Sequence, residues 1–573
     1  MLKDMKLYAL EKIVKKRIFG VLCLVICACL LMTGCGLWTL NKDRYLSRTV
    51  ATVDDDIVVT KEELLTMYNQ YASTLVNSYG YTNEQAVEYC IDLLINKKIM
   101  LKKAKEIYPT LSDKETSKCW KDTYDTMNEI LADYESAVKV DWGIKDDDTK
   151  NETAGTSDSS STSTAYSPYE KKATLVQNEE GVWEIKTIPE EDELADVEII
   201  EGGADKFLTN YRTISREDVS KEALKRYIKA LKKNEEGRTF EGENAYSDDA
   251  VLNRAINRVY KQIEESYYLA KLKKYLVKDT SVSVDQVLNA FKEKLISAYT
   301  KYSVGSGDFA TDILNSAENM YYVPESAQGK FFYVSHFLVK FNSEEQAKVD
   351  DLKEQMNQGY ISQKEYDMAL EAIVAKMEAT VYDDEGNATE DKVLVKDILS
   401  SLNADMAGKS QEEKTEIFRQ YLYKYNEDTG LNNKEYSYVV GDEKSSMVES
   451  FTNAARQLHR PNAENQEILG NVGDISGIVP SEYGVHILMY CGEVKNLFDI
   501  NPDNANEFEL KNADIKVLYD TLLNVCNNKT IFDKLYDEVF SDSYSVFESA
   551  YLQSLKQGST IKVYKKAYKD LLG

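Results

Sequence analysis

The chain is 573 residues long with a formal charge of −27, a length that suits two or three domains rather than one. Six basic and two acidic residues precede Gly34, so the remainder carries −31; such a polyanion repels nucleic acid and anionic lipid headgroups, which excludes nucleic-acid binding as a function. Apolar residues make up 43% and tyrosines number 40, so the excess charge does not preclude folded cores.

Lys3, Lys6, Lys12, Lys15, Lys16 and Arg17 lead into an uncharged run, Ile18 to Met32, which closes on Thr33-Gly34-Cys35. A basic segment, a short apolar run and small residues before a cut site are the parts of a secretory signal peptide. The run is short for a comfortable membrane span, and an uncleaved anchor helix is the alternative. Thr-Gly-Cys resembles the lipobox of bacterial lipoproteins, with Met32 departing from the common choice three positions before the cysteine. The resemblance implies a signal peptide and lipobox over 1–35 and lipidation at Cys35, which becomes the new N-terminus. Residues 36–48 are then a tether to the outer, extracytoplasmic face of a bacterial cell membrane. No other segment is apolar for long enough to span. Beyond the lipobox the chain has Cys90, Cys119, Cys491 and Cys526. Their spacing indicates neither a zinc site nor a thioredoxin-like motif; one or two disulfides and four buried thiols both stay open, and no metal or cofactor is expected.

From Val50, VATVDDDIVVTKEELLTMYNQY predicts a short strand or hairpin followed by a helix, with Thr60 and Glu63 placed as a capping box. A second amphipathic helix follows in EQAVEYCIDLLINKKIMLKKAKE, where apolar residues recur at steps of three and four. This order of valine-rich strand, Thr-Lys-Glu-Glu helix start and Leu-Ile helix ending in lysines resembles the N-terminal chaperone domain of SurA and of PrsA-type foldase lipoproteins, and it assigns 49–144 to a helical chaperone region. Residues 145–168 are polar and nearly free of large apolar groups, so they are expected to be a disordered linker. The region 169–330 is read as mainly helical after a stretch of strand character, TLVQNEEGVWEIKTI. Its best helix spans roughly Val251 to Val277, with Leu252, Ile256, Val259, Tyr260, Ile263 and Tyr267 on one stripe expected to be core.

The chain has three histidines, and two stand inside apolar runs, YVSHFLVKF at 333–341 and YGVHILMY at 483–490. The strand period of two puts Val334, His336 and Leu338 on one face, and His486, Leu488 and Tyr490 on another. Both imidazoles are therefore expected to look inward. One reading is two unrelated core histidines, each satisfied by a hydroxyl or a carbonyl; the other is a paired site.

Ser335-His336-Phe337-Leu338-Val339-Lys340 resembles the first strand of the parvulin-type peptidyl-prolyl isomerases, and Tyr483-Gly484-Val485-His486-Ile487-Leu488 resembles their last. Gly470 to Val479 is similar to the turn that enters that last strand, and Met447 to Phe451, followed by Asn453-Ala454-Ala455, is similar to the helix carrying the substrate pocket. Tyr425-Asn426-Glu427-Asp428-Thr429-Gly430 resembles the segment in which parvulins place an active-site aspartate or cysteine. The resemblance implies a parvulin-like domain over 331–495, with His336, Asp428 and His486 as catalytic groups and Met447 and Phe451 gripping the proline ring. It departs from the family in an insert at about 342–395, a first helix near Lys396 to Tyr425, and Asn433 to Tyr438 in place of a glycine-rich strand. No basic cluster is present to recognise a phosphorylated residue before the proline.

Residues 496–573 are expected to be a helical segment that returns to complete the chaperone region. The fold class implied is α+β: a largely helical SurA/PrsA-like chaperone domain plus a parvulin-like α/β domain, a small antiparallel sheet flanked by helices. Two functions follow. One is a tethered foldase that binds unfolded, newly exported polypeptides and isomerises their X-Pro bonds. The other is a non-catalytic holdase chaperone with a degenerate parvulin domain. Membrane contact runs through the N-terminal lipid in both.

Overall fold

The computed structural model describes residues 42–572 except 55, 143, 145–168, 190–193, 195–196, 215–217, 243, 279, 304, 306, 316–319, 384–385, 429, 431–435, 461–467 and 501–507. The expected signal peptide and Cys35, the first part of the tether and the linker at 145–168 lie outside the described residues. The chain is mixed α and β, 59% helical with small antiparallel sheets, as an α+β class requires. Among the described residues no helix is long and apolar enough to cross a membrane.

The chain forms two compact units, and neither is continuous in sequence. Among the described residues, one comprises those within 42–144, 191–280 and 543–572; the other comprises those within 169–190 and 281–542. The block 169–330, read from sequence as one helical region, is thus divided between them.

In the first unit the expected hairpin is present, with Thr49–Val53 antiparallel to Ile57–Thr60. Thr60 caps the helix Lys61–Ser73 through the reciprocal bonds with Glu63 that its spacing predicts. A third strand, Ile561–Val563, pairs with Thr49–Val53 in the register Ala51 to Val563 and Val53 to Ile561, so the C-terminal end of the chain completes the N-terminal sheet. Val50, Ala51, Val53 and Val59 are fully buried against Val87, Cys90, Ile91 and Leu94 of the helix Asn83–Ile107. The helices Asp113–Trp142, Gly203–Ile214, Asp218–Glu235 and Asp248–Val277 enclose a separate core. The expected stripe supplies Leu252, Ile256 and Val259 to it, while Trp120 stacks on Tyr260 with centroids 4.1 Å apart. Part of the stretch read as a tether is a one-turn helix, Lys42–Leu46.

In the second unit the strand character at 174–188 is a hairpin, Ala173–Gln177 with Trp183–Thr187. It packs on a core shared with the helices Val284–Ser303 and Phe309–Asn315. Then come β1 (Phe331–Lys340), α1 (Ser343–Asn357), α2 (Gln363–Val374), β2 (Glu378–Tyr382), β3 (Ala388–Leu394), α3 (Val395–Met406) and α4 (Gln411–Tyr425). The unit continues through β4 (Tyr438–Gly441), α5 (Glu449–His459), β5 (Val479–Ser481) and β6 (Gly484–Glu493). The main sheet has the order β4-β1-β6-β5 and is antiparallel throughout.

The insert after Phe341 is the helix pair α1 and α2 followed by the β2–β3 hairpin. Its Val349, Leu370, Val374 and Val381 pack on the sheet face made by Phe337, Val339, Val485 and Ile487. The expected helix from Lys396 to Tyr425 is two helices, α3 and α4, because the chain turns at Gly408 with φ +73°, a conformation that stops a helix. The run LYDTLLNVCNNKTIFD, read as helical, contains a small hairpin, Leu522–Asn524 with Lys529–Thr530, turned at Asn528 with φ +52°. Asparagine tolerates that left-handed backbone better than most residues.

Candidate functional site

The strands β1 and β6 are the two central strands, paired so that Leu488 lies opposite His336 and His486 opposite Leu338. Directly paired residues point to one face, so the period-two reading of each strand becomes a shared face for both imidazoles. Gly484 makes the close approach possible. Its φ is +141°, and a Cβ there would stand 2.1 Å from the Val339 carbonyl oxygen.

Neighbouring strand β4 pairs with β1 only as far as Val334, which leaves the backbone of β1 beyond His336 in need of partners. The segment leaving α4 supplies them. Leu338 N donates to Asn426 Oδ1 at 2.8 Å, Glu427 N donates to the Leu338 carbonyl at 2.8 Å, and Lys340 N donates to Glu427 Oε2 at 2.6 Å. Asn426, 1% exposed, also accepts from Asp428 N at 3.0 Å. These bonds fix the chain against the strand edge and aim Asp428 at His336.

The resulting network runs through the sheet. His336 Nε2 lies 3.0 Å from Asp428 Oδ2, His336 Nδ1 lies 3.2 Å from His486 Nδ1, and His486 Nε2 lies 2.8 Å from Ser481 Oγ. The Tyr438 hydroxyl donates to Asp428 Oδ2 at 2.9 Å, and Gly430 N donates to Oδ1 at 2.9 Å. Burial alone would raise the Asp428 carboxyl, but His336, the Tyr438 hydroxyl and the Gly430 N–H outweigh it and hold the group at about 2. Burial, followed by the His336 charge, lowers His486 to about 3, so its ring is neutral at ordinary pH. Burial and then the Asp428 carboxylate push the Tyr438 hydroxyl well above its ordinary value, which keeps it a donor.

Ser481 Oγ accepts the Tyr483 N–H at 3.1 Å and donates to the Gly484 carbonyl at 3.3 Å. The serine, the two imidazoles and the Asp428 carboxylate form one continuous hydrogen-bonded chain. The Asp428 side chain is 21% exposed and that of His336 2%, so the network opens to solvent at the aspartate.

Phe451 and Met447 differ from their expected setting. Phe451 is fully buried and stands edge-on to both imidazoles, 5.1 Å from His336 and 5.5 Å from His486 with interplanar angles of 88° and 90°. Its ring covers the histidine pair instead of facing solvent. Met447 was expected four residues before Phe451 on one helix, but α5 begins at Glu449 with Val448 as an extended N-cap (ψ 151°). Met447 lies in the preceding turn, where its N–H donates to Ser445 Oγ at 3.1 Å, and it packs half-buried on the Phe451 cluster. A groove of about 380 Å³ runs along α5 between Ala454, Gln457 and Leu458 and the segment Ile475 to Val479.

The sequence reading assigned no role to Tyr438, Ser481 or Asn426. Tyr438 is one of 40 tyrosines and carried no signal of type. Ser481 is set by the tight turn into β6, where Val479 pairs with His486; the Tyr-Gly dipeptide before His486 was the available sign. The third histidine, His459, is a framework residue. It stacks on Phe332 at 4.2 Å and bonds Asp442 at 3.1 Å. All four described cysteines are free thiols, three of them buried. No family model matches the chain, and no curated protein matches it with significance.

Proposed function

We propose that the chain is a membrane-tethered foldase of PrsA/SurA-like kind, whose domain at 331–495 isomerises X-Pro bonds in exported, unfolded polypeptides. The observation that carries this reading is the continuous hydrogen-bonded chain that joins Ser481, His486 and His336 to an ionised, solvent-reaching Asp428. Rotation about X-Pro faces a barrier of about 18–20 kcal/mol because the amide is conjugated. No bond is broken, so the site has to favour the twisted state over the planar ones. Conjugation places partial negative charge on the carbonyl oxygen. A carboxylate held beside that oxygen disfavours the planar amide relative to the twisted one, in which the charge returns to nitrogen. The two histidines orient Asp428 and keep it ionised, and Phe451 excludes water from beneath it.

The test is isomerisation of a short Ala-Pro peptide by protein from Gly36 onward. Wild type should accelerate it, and Asp428→Asn should lose about 10- to 100-fold, or about 1.4–2.7 kcal/mol of barrier lowering. No acceleration by folded wild type overturns the isomerase reading. Attachment is tested separately by labelled palmitate in cells, which Cys35→Ser should abolish.

Full burial of Phe451 favours the second reading, a holdase that uses this domain to bind chains without turning them over. It expects suppression of client aggregation that survives Asp428→Asn while isomerisation is absent in wild type.

A further inference from the structure

The first unit has a shallow, largely open cavity of about 550 Å³ lined by Tyr45, Arg48, Lys566, Lys569 and Asp570. Lys61 lies beneath it, fully buried, bonded to Asp570 and 4.0 Å from the centroid of the Tyr45 ring. Tyr45 also donates its hydroxyl to Asp570. The aspartate is therefore already neutralised by a cation and a donor. Of the nearby carboxylates, Asp43 and Glu62 pair with Arg238 and Glu84 pairs with Lys565, while Glu88 also acts on Lys565. Arg48, Lys566 and Lys569 have no carboxylate partner among the described residues, and all three are exposed. Beside them Val563 is 49% and Tyr564 42% exposed, an aliphatic and an aromatic side chain next to cations, as at membrane interfaces.

We infer that this cavity binds the phosphate-bearing headgroups of anionic phospholipid and sets the first unit against the bilayer. The net charge of −27 argues otherwise only at long range, since at physiological salt the field of distant carboxylates is screened beyond about 8 Å. Position argues for a lipid surface over free phosphate. Ten residue-to-residue steps lead from Cys35 to Tyr45, which covalent geometry limits to about 36 Å, so the cavity stays near the bilayer whether the chain is held by a lipid on Cys35 or by the run Ile18 to Met32. The inference rests on that proposed attachment but not on isomerisation.

The experiment is co-sedimentation of protein from Gly36 onward, which keeps every described element and removes the attachment itself. Vesicles containing phosphatidylglycerol are compared with phosphatidylcholine alone and with millimolar inorganic phosphate as competitor. Wild type should bind the anionic vesicles and not the zwitterionic ones. Arg48→Gln/Lys566→Gln/Lys569→Gln should bind about 100-fold more weakly, about fivefold per cation. Lys348→Gln/Lys364→Gln/Lys409→Gln, with the same charge lost in the second unit, should bind as wild type. Unchanged melting checks the fold of both variants. Absence of wild-type binding, equal binding by the first variant, equal loss in the second, or displacement by phosphate beyond its ionic-strength effect would each overturn the proposal.

Discussion

Each unit buries a nitrogen base against a partly exposed aspartate, and the two pairs behave differently. In the second unit His336 is 2% exposed and Asp428 21%; in the first, Lys61 is 0% and Asp570 47%. An imidazole bonds a different partner at each of its two nitrogens, so His336 links Asp428 to His486 and through it to Ser481. A lysine donates only. Its cluster therefore ends at Asp570, and the remaining cations of the cavity face water. The histidine arrangement orients a single anion, while the lysine arrangement leaves a cationic surface.

The largest effect that tests this contrast is at Asp570. Asp570→Ala leaves Lys61 buried without its carboxylate and should cost about 3–5 kcal/mol, while Lys61→Met/Asp570→Ala should recover most of it; denaturant unfolding of both variants measures the difference. Loss in the double variant equal to that in the single would show that packing, not charge, holds this corner. Next, Gly484→Ala should cost about 2–3 kcal/mol, because a Cβ meets the Val339 carbonyl at 2.1 Å on a left-handed backbone. Calorimetry reads that loss, and the first unit should keep its own transition.

The pH dependence is specific to the histidine network. His486 is held at about 3 in the folded protein, below its ordinary value, so the unfolded state binds more protons between about pH 6.5 and 3 and stability falls as pH drops through that window, by about 1.4 kcal/mol per pH unit at most. His486→Gln should flatten the melting temperature between pH 6.5 and 4. Asp428, held at about 2, contributes stability above its unfolded value that is lost as pH falls from about 4 through 2. Asp428→Asn should remove that acid limb, worth about 2 kcal/mol, and leave the His486 limb in place. The smallest effect is at Tyr438, where Tyr438→Phe deletes one donor to the carboxylate and should cost about 1 kcal/mol, seen as an Asp428 titration shifted upward by carbon-detected NMR.

The elements that the sequence foretold are those held by neighbours in the chain. The box of Thr60 with Glu63 spans four residues, and the stripe on Asp248–Val277 repeats within single turns. The inward histidines were readable because strand alternation needs only two residues of context. Met447 falls two residues before the helix, whose start is decided by the extended Val448 and by Ser445 taking the Met447 N–H. The division of 169–330 between units had no local sign, because the hairpin at 173–187 and the strand at 561–563 find their partners more than a hundred residues away.

By itself the sequence determined the capping box at Thr60, the hairpin at 49–60, the stripe on Asp248–Val277 and the inward pair of histidines, which follow from residue type and short-range periodicity. Asp428 was reached only through the resemblance to parvulins. The tertiary structure alone decided the register that sets His336 across from Leu488, the capture of the β1 edge by Asn426 and Glu427, the donors Tyr438 and Ser481, and the burial of Phe451. Each depends on groups distant in sequence meeting within about 3 Å or in direct packing contact, and no local pattern encodes which distant partner will satisfy a buried polar atom.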